Sequence, residues 1–293
     1  MARLDPESDY PRIVQLIADH KLNEFIMNLN YATGFMSNTV PPGGSEVMIG
    51  TSKAEKRPQT RYIDTVDFFW QWFFKGPAHP DVQASLKRLN RLHAHLYKDY
   101  PKSFDNNDDW IFTTCNLAVG ADRMRRRVGA PPQPEHVQRA WHHFWRDITA
   151  QMEGLHGPLH SFPESYRELW EFAEEFERRD WPDAPNGRKL CELMIKQFNE
   201  RFFPRSLHRV GRLVVMAFVP PVVAERHKLP PANRFGVWLV HRVFQAVFFA
   251  LDHFKPDNKV PMSEVLAGEK HQRWRKENIA RERANPLTPA PRP

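Results

Sequence analysis

The chain has 293 residues, 41% of them apolar, with 42 basic against 35 acidic side chains for a formal charge of +7, and two cysteines, Cys115 and Cys191. A chain of this length supports one large core burying roughly three quarters of its unfolded surface. Two cysteines exclude a disulfide framework or a thiolate metal cage, which suits a reducing, cytoplasmic setting. The basic residues fall in short runs (123–127, 205–212, 270–283) with no recognition motif, so no nucleic-acid partner is expected.

The N-terminal MARLDPESDYPRI lacks the apolar centre of a signal peptide. No stretch reaches about 18 uncharged apolar residues, so no transmembrane helix is predicted, and peripheral contact with a membrane stays open. The two nearest candidates, 213–223 and 235–254, are broken by Pro220 and Pro221 and by His241, Arg242, Gln245 and Asp252; both read as core helices.

Apolar spacing is helical nearly throughout, and 26 prolines sit where helices should begin or end. A first helix is predicted over 9–30, followed by a polar, Gly- and Pro-bearing connection over 39–58. A short aromatic helix covers 61–74 and is stopped by Gly76-Pro77. His79-Pro80-Asp81 opens the next, ending near Asp99. Further helices are predicted over 110–128, 134–152, from Pro163, and over 186–203, 205–218, 220–228 and 233–254. From about residue 265 the chain turns highly charged and ends NPLTPAPRP, which predicts a solvated helix and a loose Pro-rich tail. The fold class is therefore all-α: one multi-helical domain over 1–264, with about nine to eleven helices in the chain, and a charged helix and tail over 265–293.

The stretch LKRLNRLHAHLY, 86–97, carries the most informative pattern. As a helix it aligns Leu86, Leu89, His93, Leu96 and Tyr97 on one stripe, with Arg88, Arg91, His95 and Lys98 mostly opposite. A neutral imidazole in an apolar wall is what a haem iron needs as axial ligand, and it is also what an ordinary core histidine looks like. No second histidine or carboxylate shares that face within a turn, which argues against a zinc site such as HExxH. Upstream, in RYIDTVDFFWQWFF, Arg61 and Thr65 share a face at i and i+4, continued by Phe68, Phe69 and Trp72. An arginine on an aromatic stripe calls for an anionic partner such as a haem propionate, or else it reaches out to solvent. The remaining histidines read as structural or surface. Nucleophile elbows and Gly-rich phosphate loops are absent from the sequence.

The succession RPQTRYIDTVDFF, then about thirty residues on LNRLHAHLY, then DWIFTTCNLAVGADRM and FPESYRELWEFAEEFE, resembles the oxygenase family that includes latex-clearing rubber oxygenase and the MpaB-type oxygenases. The resemblance runs over about residues 22–254 and implies a globin-like helical core holding a non-covalent haem b. It implies His93 as the iron ligand, with Arg61 and Thr65 beside the haem in cofactor-binding and catalytic roles. It further implies oxidation of a lipophilic, unsaturated or isoprenoid substrate with dioxygen. The sequence departs from rubber oxygenase in two respects. Asp64 stands where that enzyme has an iron-capping lysine, and Glu46 and Glu55 are the only nearby counterparts of its glutamate base, neither aligning with it. The alternatives to an oxygenase are a haem- or lipid-binding carrier without turnover, and a metal-free helical scaffold whose basic face binds an acidic partner.

Overall fold

The computed structural model describes residues 3–254 and 258–284. Among these, fifteen α-helices account for nearly all regular structure, joined by two 3₁₀ turns and one antiparallel pair of two-residue strands, Glu153–Gly154 with Gly157–Pro158. The all-α class holds, with more helices than the sequence predicts. The Pro-rich tail over 285–293 lies outside the described residues.

The extra helices have local causes. The helix expected over 9–30 is two, α1 (Tyr10–His20) and α2 (Glu24–Asn38). Asn23 breaks it: its backbone is extended, and its side chain accepts from the Ile26 N–H at 2.9 Å, capping α2. The connection expected over 39–58 contains α3 (Pro42–Gly50) and α4 (Lys53–Lys56). The glycines that read as loop in α3 serve close packing instead. A Cβ at Gly43 would meet the Ser103 Cα at 2.8 Å, and one at Gly50 would meet the Tyr100 hydroxyl at 2.3 Å. Glycine lowers helix propensity, but here it admits a neighbouring backbone that no larger residue would.

α5 (Pro58–Lys75) starts with Pro58 in its first turn and stops at Gly76, whose φ of +80° only glycine adopts without strain. It turns back into α6 (Pro80–Leu96). The Asn106 side chain accepts from Asp108 N–H at 3.1 Å and caps α7 (Asn107–Arg127). α8 (Glu135–Thr149) and α9 (Tyr166–Arg178) follow, the latter opened by Ser165, whose hydroxyl accepts from the Glu168 N–H at 3.2 Å. α10 (Pro185–Phe202), α11 (His208–Phe218), α12 (Pro221–Arg226), α13 (Arg234–His253), α14 (Met262–Ala267) and α15 (Glu269–Ala284) complete the order.

The core lies where α2 packs on α7 and α10, α7 on α8 and α9, and α1 between α5 and α8. Phe112 of α7 and Phe176 of α9 stack at 4.2 Å. Beside them Arg123 grips the buried Glu177 with two bonds of 2.7 and 2.8 Å, so this buried charge is compensated.

Two C-terminal helices differ from expectation. α11 is a core helix, but α13 is not: only Val240 and Phe248 are buried, and Phe235, Trp238, Leu239 and Val243 face outward. By length and composition α13 is also apolar enough to cross a membrane, which the sequence reading did not predict. α15 is not simply solvated. Trp274, Asn278 and Glu282 are buried against the body. Glu282 accepts from the N–H groups of Gln59 and Thr60 (2.9 and 2.8 Å) and from the Thr60 hydroxyl (2.7 Å), meeting the orphan donors and positive dipole end of α5. Two turns further along α5, Arg275 holds Asp67 bidentately. The C-terminal helix therefore fixes the position of α5.

Candidate functional site

α5 and α6 form an antiparallel helical hairpin. Near its closed end Trp72 donates to the Ser85 hydroxyl at 2.7 Å, and a turn on Arg88 stacks over Phe68 at 5.1 Å. Counting on from these contacts brings Thr65 and Arg61 level with the turn of α6 that carries His93. Among the described residues this is where the sequence-derived candidates come together.

Arg61 and Thr65 bond as their i, i+4 spacing allows. Arg61 Nη1 donates to Thr65 Oγ1 at 2.7 Å, and that hydroxyl donates to the Arg61 carbonyl at 3.0 Å. Arg61 Nη2 reaches the Met48 sulfur of α3 at 2.6 Å, and the guanidinium lies over Phe35 of α2 at 5.2 Å. Its partners are thus a hydroxyl, a thioether and a ring face. No carboxylate pairs with it among the described residues. Asp64, its neighbour in sequence, is exposed and pairs with Lys53.

His93 is half-buried between the rings of Trp110 (4.8 Å) and Phe104 (5.9 Å), while His95 is exposed. Its ring makes no hydrogen bond to any described residue. Burial, and secondarily the charge of Arg61, press its pKa down to about 4, so the imidazole is neutral at physiological pH. Arg61 thus acts on His93 across the space between the two helices. Tyr31 of α2 completes the polar side. Its buried hydroxyl faces Arg61 and Thr65, and burial raises its pKa against the opposing effect of both.

The sequence missed several of these neighbours. Phe104 sits just after the 3₁₀ turn Pro101–Ser103, and Trp110 in the first turn of α7; Met48 and Phe35 come from α3 and α2. Conversely, Phe69 and Trp72, expected beside Arg61, point to the other end of α5. Both pack on Trp145 of α8 at 6.2 Å, and Trp72 is fully buried in the core. Of the two candidate bases, Glu46 is exposed on α3, two residues before Met48, and Glu55 is exposed and pairs with Lys189 at 2.9 Å. A cavity of about 200 Å³ lies across α5 from Arg61, where Tyr62, Val66 and Trp70 face Leu266 and Trp274, and it is not part of this arrangement.

Three other histidines have structural partners. His142, His227 and His241 bond the carbonyls of Pro163, Met36 and Ala217 at 2.9, 2.7 and 2.8 Å. Burial raises the pKa of both cysteines, which keeps them as thiols. No group of three His, Cys, Asp or Glu side chains among the described residues could hold a metal ion. The donor set at His93 is therefore one neutral nitrogen with an unpaired cation nearby. A bare metal needs several protein ligands. A single nitrogen suits a group that brings its own equatorial donors and its own negative charge, as a porphyrin with propionates does.

The fold is thus all-α, with a lone half-buried histidine facing an Arg-x-x-x-Thr pair. The sequence matches, over residues 20–248, the family described as ER-bound oxygenase mpaB/B'/Rubber oxygenase, catalytic domain, and the chain belongs to that family. It is an oxygenase catalytic domain and hence of the oxidoreductase class. No curated protein matches the chain.

Proposed function

We propose that the protein is a haem b-dependent oxygenase acting on a lipophilic, unsaturated or isoprenoid substrate with dioxygen. The observation that carries this reading is the pairing of His93, neutral and without a hydrogen-bond partner, with Arg61, a cation without a carboxylate, on facing turns of one hairpin. His93 would hold the iron and Arg61 a propionate. When bound, haem b supplies the redox chemistry by which dioxygen attacks an electron-rich carbon–carbon double bond.

The protein's own residues do the rest. The His93 nitrogen stays unprotonated well below neutral pH because burial disfavours the charged ring and Arg61 repels a second positive charge. Thr65 fixes the guanidinium by accepting from Nη1 at 2.7 Å, and Phe35 packs on its face. A guanidinium held in a partly dehydrated site stabilises negative charge more strongly than one in water. Phe104 and Trp110 keep the surroundings of His93 apolar, which suits a lipophilic substrate.

Oxygen uptake tests the reading. The haem-loaded chain should consume dioxygen only when an unsaturated polyprenyl or terpenoid chain is added, with carbonyl products formed. Arg61→Ala should lower that rate by about 10²-fold, as removal of one preorganised charge-stabilising group does elsewhere. A protein that binds haem yet consumes no dioxygen with any such chain is a carrier, and the oxygenase reading fails.

A further inference from the structure

α13 carries apolar residues around its whole circumference, yet only one side of it is packed. Its inner face is held along the whole helix. Gly236 fits against Leu213 of α11, His241 bonds the Ala217 carbonyl at 2.8 Å, Phe244 meets Phe218 at 4.9 Å and Gln245 bonds the Gly129 carbonyl at 2.8 Å. At its end Arg125 of α7 stacks on Phe248 and pairs with Asp252. Crossing a bilayer would break every one of these contacts, so the helix lies flat on the body.

Its outer face repeats at helical spacing: Arg234-Phe235, Trp238-Leu239, Arg242-Val243 and Ala246-Val247 are all exposed. Phe235 is 71% and Trp238 52% exposed. α11 and α13 run in the same direction, since 213 lies against 236 and 217 against 241. Val210 and Leu207, exposed one and two turns before Leu213, therefore extend the patch at the Phe235 end. A contiguous apolar surface of this kind marks an interaction site.

The charges choose the partner. Arg205, Arg209, Arg234 and Arg242 are exposed and form no ion pair with any described residue. Over 203–251 the one carboxylate is Glu225, and the basic residues nearest it in sequence, Arg226 and Lys228, pair with Asp180 and Asp183. A second copy docked on this face by a two-fold axis would set these unpaired arginines against one another. We propose that the outer face of α13, with the first turns of α11, seats the protein on the surface of an anionic lipid bilayer. Phe235, Trp238 and Leu239 enter the interface, and the guanidinium of Arg242 reaches headgroup phosphates while its stem lies on the apolar stripe.

The test is co-sedimentation of the full chain with vesicles of phosphatidylcholine alone or mixed with phosphatidylglycerol. It needs neither haem nor turnover, so its result is separate from the oxygenase reading. The chain should pellet with the mixed vesicles and be released by high salt. Arg234→Gln with Arg242→Gln should weaken binding about 25-fold, at about fivefold for each basic residue near the surface. Phe235→Ser with Trp238→Ser should abolish binding with an unchanged circular dichroism spectrum, since neither side chain is buried. Failure of the folded chain to pellet with anionic vesicles overturns the proposal. So does equal, salt-insensitive binding to phosphatidylcholine alone, and so does a dimer in light scattering that the Trp238 variant dissociates while vesicles bind nothing.

Discussion

The His93 ring is half-buried between Trp110 and Phe104, and its pKa is held near 4 mainly by that burial. Periodicity placed His93 on the apolar stripe of its helix, and spacing placed Arg61 and Thr65 on one face of theirs, because both relations are local. The company these residues keep was not legible. Trp110 and Phe104 reach His93 through the path of residues 97–106, and Met48 and Phe35 reach Arg61 from other helices. Trp72 shows the converse error. It shares a helical face with Arg61 in projection, but three turns and a bond to Ser85 carry it into the core. One carboxylate beside the site gives a residue-scale prediction. Burial raises the pKa of Asp109 to about 6, against the help of an Asn106 bond at 3.0 Å. The folded state then binds more protons than the unfolded state from about pH 4 to pH 6, so Asp109 costs stability as pH rises through that window. Asp109→Asn keeps the Asn106 bond, and it should raise stability by up to about 3 kcal/mol at pH 7 and have no effect at pH 3, as measured by urea unfolding at the two pH values. Equal effects at both would refute the assignment.

Helix ends announced themselves at the scale of elements. Pro58, Pro80 and Pro185 lie in first turns, Asn106 and Ser165 cap, and Gly76 terminates, so α5 to α10 fall close to where the sequence puts them. The failures have one physical origin: packing set the outcome where local preference pointed elsewhere. The glycines of α3 read as a loop but admit Ser103 and Tyr100. α15 reads as solvated because it is densely charged, yet its charges are spent on α5 through Arg275 and Glu282. Glu282 is 2% exposed and accepts three hydrogen bonds at the α5 N-terminus. Glu282→Ala leaves two backbone donors of a helix end buried, and it should cost about 2–4 kcal/mol in urea unfolding. A loss below about 0.5 kcal/mol, the range of neutral surface changes, would show that α15 does not hold α5 in solution.

In the whole molecule, α2, α7 and α10 form the central packing, and the α5–α6 hairpin leans on it with the candidate site along its open end. The family match ends at residue 248, so α15 lies beyond it, yet it clamps the helix that carries Arg61 and Thr65. Fold class was plain from the sequence because helical periodicity runs almost the full length. The exposed side of α13 was not, since a helix with apolar residues all round reads the same whether it is enclosed or half open. The most direct test of the account is the absorption spectrum of the full chain purified from cells supplied with a haem precursor, oxidised and then reduced under carbon monoxide, beside that of His93→Ala. The expected result is a Soret band that shifts on reduction in the wild type and is lost or displaced in the variant. A wild-type protein that is colourless and takes up no added haem would contradict it, and so would a variant whose haem spectrum is unchanged.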